Sequence, residues 1–165
     1  MNNPKTIRIL TLSESKLKRS AEHVYYEIWM FISTIHELTK NTQNQFQINI
    51  LLESFGIHLR NLLYFFYTHP KNRVSDDMLA EDFISNLKLY KKNRTPKHKL
   101  TFTIKRTHKQ LVHLTYHRNR YNRKTKPWKF GEIYQLLFPT VAAFYEALPR
   151  KRKKWQHFIE LKNRS

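Results

Sequence analysis

Glycine occurs only twice in 165 residues, at positions 56 and 131, and that scarcity constrains the fold more than any motif does. Hairpin turns and sheets lean on glycine for left-handed backbone, and an average chain carries roughly 7% of it. A chain this poor in glycine is expected to be helical. The apolar spacing agrees. Val24, Ile28, Phe31, Ile32, Ile35 and Leu38 recur every three or four residues, as one helix face requires. So do Leu51, Phe55, His58, Leu62, Phe65 and Phe66, and later Ile133, Leu136, Leu137, Val141, Phe144 and Leu148.

Local signals bound these stripes. Thr11-Leu-Ser-Glu14 and Thr42-Gln-Asn-Gln45 have the form of capping boxes, predicting a first helix over 13–39 and a second ending near Thr68, before His69-Pro70. Their short connection predicts antiparallel packing. Ser75-Asp76-Asp77 reads as the cap of a short helix through Leu89. Leu100-Thr-Phe-Thr-Ile104 alternates like a strand, and helical spacing takes over from Ile104. Pro139 interrupts the last stripe and predicts a kink or a break. The expected architecture is an all-α, up-and-down bundle of about five helices over 1–149, with a basic C-terminal tail over 150–165.

With no cysteine, disulfides, cysteine-type zinc sites and thiol catalysis are excluded. The N-terminus lacks the apolar core of a secretory signal. The longest apolar run, Val24 to Ile35, has 12 residues and contains Glu27, too few to cross a bilayer. A cytoplasmic protein with no membrane partner is expected.

The net charge of +19 is polarised. Residues 1–82 hold nine basic and nine acidic residues, whereas residues 83–165 hold 22 and three. Between Phe83 and Gly131 stand 15 Lys or Arg and no Asp or Glu. An imbalance of this kind implies a polyanionic partner, RNA or another nucleic acid. Within that stretch, Arg106, Lys109, His113, His117 and Arg120 are three or four residues apart and share one helix face. Histidine moves protons near neutral pH, and arginine holds phosphate. RNA supplies its own 2′-OH nucleophile, so cleavage needs no metal or other cofactor. The same residues equally suit plain binding.

Several segments resemble bacterial helical proteins of the HEPN class. They are Leu51-Leu-Glu-Ser-Phe55, His58-Leu-Arg-Asn61, Phe65-Phe-Tyr67, Asp76-Asp-Met-Leu-Ala-Glu-Asp-Phe83, Lys109-x-x-x-His113-Leu-Thr115 and Lys126-Pro-Trp128. The resemblance spans residues 50–145. It implies a helical bundle that forms a homodimer and an RNA-cleaving toxin or phage-defence effector, held in check by a neutralising partner protein. It implies His113 as acid or base and Arg106 as phosphate clamp. The commoner spacing puts arginine five residues before the histidine, where this chain has His108, with Lys109 beside it as a substitute clamp. Lys105, His117, Arg118, Arg120, Arg123, Lys124 and Trp128 are the expected nucleic-acid contacts. The alternative is a non-catalytic binding or scaffold protein. A protein–protein module is the expectation if the neutral half carries a large exposed apolar face.

Other constellations read as structural. For Arg60 two readings stand, a second cation in the cleft with Asn61 orienting a phosphate, or a half-buried pairing with Glu53 or Glu37, and the pairing is favoured slightly. Asp77, Glu81 and Asp82 read as helix-start carboxylates rather than metal ligands. His113-x-x-x-His117 lacks the glutamate of zinc proteases. Tyr116, Tyr121 and Trp128, set among cations, are candidates for base stacking. Arg150 to Lys154 reads as a solvated, phosphate-contacting run.

Overall fold

The computed structural model describes residues 12–164 apart from 41, 75, 108, 110–115, 117–118 and 120–127. It is all-α: helices α1 (Glu14–Thr39), α2 (Gln45–Tyr67), α3 (Leu87–Asn93), α4 (Thr101–Thr107), α5 (Phe130–Ala147) and α6 (Gln156–Arg164), with short 3-10 turns between them. Among the described residues there is no strand, and no helix is long and apolar enough to cross a membrane.

α1 and α2 form the antiparallel hairpin that the spacing predicts, with Phe31 stacked on Phe55 and Tyr26 edge-on to His58. The cap of α2 differs from the expected one. Ser13 caps α1 by accepting from the Lys16 amide at 3.2 Å, and Glu14 pairs with Arg152. Thr11 lies outside the described residues. At α2 the box is Asn44 and Gln47, each side chain accepting from the other's amide at 3.0 Å.

The short helix expected through Leu89 is not there. A single 3-10 turn at Ala80–Asp82 precedes α3, which Asn86 caps at the Leu89 amide. The carboxylates that looked like a helix start are spent on tertiary partners. Asp77 accepts from the Tyr64 hydroxyl at 2.6 Å, and Asp82 accepts from Arg73 and from the Leu79 amide. Burial of Leu79, Ala80 and Phe83 holds the segment down. Leu100–Ile104 is not a strand either: it is the end of a 3-10 turn and the start of α4. Leu100, Thr103 and Thr107 are buried at helical spacing. α5 runs unbroken through Pro139.

The core closes on five phenylalanines. Phe65 and Phe66 of α2, Phe83, Phe144 of α5 and Phe158 of α6 meet mostly edge-on, with centroids 5.0–6.2 Å apart. That geometry suits the ring quadrupoles. The segment after residue 150 is therefore packed: α6 lies on α1 and buries Phe158 and Leu161 in this core.

Candidate nucleic-acid interface

α4 follows Pro96 and the 3-10 turn Lys97–Leu100, so a basic loop feeds directly into a basic helix. Its inner side buries Thr103, Arg106 and Thr107. The Thr107 hydroxyl donates back to the Thr103 carbonyl at 2.9 Å. Its outer side is cationic and aromatic. Phe102 is 68% exposed, and Lys105 and Lys109 follow it three and seven residues on, both exposed. Lys97, His98 and Lys99 are exposed just before it, and Lys88, Lys91 and Lys92 are exposed on α3. Lys91 reaches Glu81 at 3.3 Å and Lys129 reaches Glu132 at 2.8 Å. The carboxylates that compensate any of these cations thus come from outside the 83–131 stretch.

The expected clamp sits differently from its neighbours. Arg106 is only 7% exposed, and its guanidinium lies 4.2 Å from the centre of the Trp128 ring. Trp128 is half-buried and packs edge-on against Phe55 at 5.6 Å. Arg106 and Trp128 therefore contact each other, and Lys105 and Lys109 face solvent. His108, His113, His117, Arg118, Arg120, Tyr121, Arg123 and Lys124 lie outside the described residues, whereas Tyr116 is exposed.

Phe102 escaped the sequence reading because the apparent strand alternation hid its helical neighbours. The signal was present: Phe102 has lysines at i+3 and i+7, on one helix face, in a stretch without carboxylates. An exposed ring among cations offers a base a stacking platform and its phosphates counter-charges.

Other basic residues serve the fold. The Arg94 guanidinium sits 4.9 Å from the Tyr67 ring and 5.0 Å from the Tyr90 ring, and donates to the Phe66 carbonyl at 2.6 Å. Tyr90 donates to the same carbonyl, and burial pushes its hydroxyl pKa well up. Arg152, within the run expected to be solvated, instead pairs with Glu14 and donates to the carbonyls of Asp82 and Phe83 at 3.0 and 2.7 Å. The Arg152 guanidinium beside Glu14, helped by Lys151, holds its carboxyl below the usual range.

A second polar constellation lies between α1 and α2. His58 Nδ1 is 2.8 Å from one Glu27 oxygen, and Asn61 donates to the other at 3.2 Å. Beside them is a cavity of about 340 Å³ with Arg60, Tyr64 and Asp77 on its wall. The pairing expected for Arg60 is not formed. Glu37 binds Lys40 and His36 instead, and among the described residues neither Arg60 nor Glu53 has an ion pair. Compared with protein-family models, curated proteins and solved structures, the chain matches none.

Proposed function

We propose that the chain is a HEPN-like RNA-binding effector of toxin or phage-defence kind, acting as a metal-independent endoribonuclease. The observation that carries the RNA part is the outer face of α4, where exposed Phe102 stands among exposed lysines in a stretch without carboxylates. Bases stack on the ring while lysines neutralise phosphates. In the cleavage step the ribose 2′-OH attacks the adjacent phosphorus in line. His113 takes the hydroxyl proton, the P–O5′ bond breaks as the leaving oxygen takes a proton from water to become a 5′-hydroxyl, and a 2′,3′-cyclic phosphate remains. Arg106 or Lys109 offsets the charge that builds on the phosphate oxygens.

Incubating the chain and its His113→Ala variant with mixed RNA under EDTA tests the reaction. Cleavage by the parent chain alone, leaving cyclic phosphate ends, is the expected result. Equal cleavage by both, or none by either, removes the catalytic part. Burial of Arg106 beneath Trp128 favours a second reading, binding without cleavage. In that case RNA still binds, with affinity that falls as salt rises, and remains intact.

A further inference from the structure

The hairpin of α1 and α2 meets Asp77-Met78 around the cavity of about 340 Å³, a volume within the range of small-molecule sites. Its surface is mostly apolar, with Val24, Phe65 and Met78 among its walls. Three polar groups on it are unengaged. Arg60 and His23 are exposed, and among the described residues neither has an ion pair, a hydrogen bond or a ring contact. Asp77 accepts from the Tyr64 hydroxyl at one oxygen, at 2.6 Å, and its other oxygen has no partner among the described residues. Glu27, by contrast, is engaged at both oxygens, by His58 and Asn61. A guanidinium and a carboxylate on one cavity wall attract each other. Tyr64, one turn after Arg60 on α2, holds Asp77, and the two charges line the cavity without pairing.

Charge and shape together define what fits. The ligand brings an anionic group to Arg60 and His23, a flat apolar body to the walls, and a donor edge to Asp77. A wholly anionic ligand would be repelled by the Asp77 and Glu27 carboxylates. An amino acid carries both its charges on one carbon and leaves most of the cavity empty. We propose that the cavity takes one guanine nucleotide, either free or as a residue of an RNA strand. Its phosphate lies on Arg60 and His23, and its base lies against Val24, Phe65 and Met78. The Asp77 carboxylate accepts from the base N1–H and 2-amino groups, since the oxygen bound to Tyr64 still has a lone pair to offer. Guanine alone among the four RNA bases presents two adjacent donors on its pairing edge, which match the two oxygens of a carboxylate. Adenine turns the N1 acceptor toward Asp77 where guanine turns a donor, and is disfavoured. None of the cavity walls belongs to α4. The free-nucleotide form therefore does not rest on the RNA-binding reading, whereas the RNA form does.

Isothermal titration of GMP, AMP and leucine into the nuclease-treated full chain tests it. GMP should bind at least about tenfold more tightly than AMP, the effect of one hydrogen bond to a charged acceptor. Leucine should not bind. Arg60→Ala should weaken GMP at least about tenfold and leave the melting temperature unchanged, because the side chain is exposed. Asp77→Asn should narrow the ratio between GMP and AMP, whereas a merely structural role through Tyr64 would weaken both alike. Phe102→Ala should bind GMP as the parent chain does, which separates this cavity from the α4 face. Anisotropy with two short single-stranded RNAs, identical except for one guanosine replaced by adenosine, identifies the source. A guanosine preference that Arg60→Ala abolishes assigns the cavity to RNA. RNA binding indifferent to Arg60→Ala, beside GMP binding that the variant weakens, assigns it to the free nucleotide. GMP that does not bind, binds no better than AMP, or binds irrespective of Arg60 overturns the proposal, as does leucine binding in its place.

Discussion

The Arg106 guanidinium lies 4.2 Å from the centre of the Trp128 ring and so ties α4 to the chain entering α5. A mostly desolvated contact of this kind contributes about 2 kcal/mol. Arg106→Ala and Trp128→Ala should each lower thermal stability by at least that order. Arg106→Lys should fall between, since it keeps charge but not the planar stack. The double variant should lose less than the sum of the singles, because the two residues share one contact. Thermal melts followed by circular dichroism check this; strict additivity would show the contact to be energetically idle.

Phe102 is expected to separate binding from folding. Its ring is exposed, so Phe102→Ala should leave the melting temperature unchanged while weakening single-stranded RNA by about 1–3 kcal/mol, the usual value of one base stack. Lys105→Ala should act through charge alone, reducing the slope of log affinity against log salt by about 0.7. Fluorescence anisotropy titrations at several salt concentrations measure both.

The long helices were legible in the sequence because one apolar stripe serves one large surface: α1, α2 and α5 lie where the spacing puts them. The short elements were not. Asp77 and Asp82 look like helix-start carboxylates until Tyr64 and Arg73, which claim them, are known. Phe102 alternates with threonines, and only the burial of Leu100, Thr103 and Thr107 reveals the helical phase. At the candidate interface, the sequence shows where cations concentrate but not which are used internally. Arg94, Arg106 and Arg152 are packed against rings or carbonyls, and Lys105 and Lys109 are not buried. Arginine spreads its charge over a plane that stacks and forks, so it is drawn into such positions more readily than lysine.

Tyr67 closes a buried ring of hydrogen bonds. Its hydroxyl donates to the Thr95 carbonyl at 2.9 Å and lies 2.7 Å from the Thr140 hydroxyl, which accepts from the Thr95 amide at 3.2 Å. Tyr67→Phe should cost about 1–3 kcal/mol, because it leaves buried partners short of a bond. Burial raises the pKa of Tyr67, as it does that of Tyr90. Their neutral forms therefore favour the fold. That contribution is whole below pH 10, the ordinary tyrosine value, and is lost as pH rises beyond it through the raised values of the folded state. Urea denaturation across the alkaline range should show stability falling from there, and less steeply in Tyr67→Phe.

Arg152 should matter more than its partner Glu14. Arg152 is largely buried and donates to two backbone carbonyls as well as to the carboxylate. Arg152→Ala leaves the Asp82 and Phe83 carbonyls without their donor and should cost about 2–4 kcal/mol. Glu14 is nearly half exposed, so water screens its charge, and Glu14→Gln should cost less than about 1 kcal/mol. The acid dependence separates the two contributions. Arg152 lowers the Glu14 pKa in the folded chain, so the ionised form favours the fold. Its contribution is present above the ordinary 4.5 and is lost as pH falls through the lowered folded value. The stability gap between the parent chain and Glu14→Gln, measured by urea denaturation, should be open at neutral pH and close in acid. The penalty of Arg152→Ala should persist there in large part, since carbonyl groups do not titrate. If that penalty vanished together with the Glu14 gap, the carbonyl contacts would be contributing nothing and the ion pair alone would fasten this end of the bundle to α1.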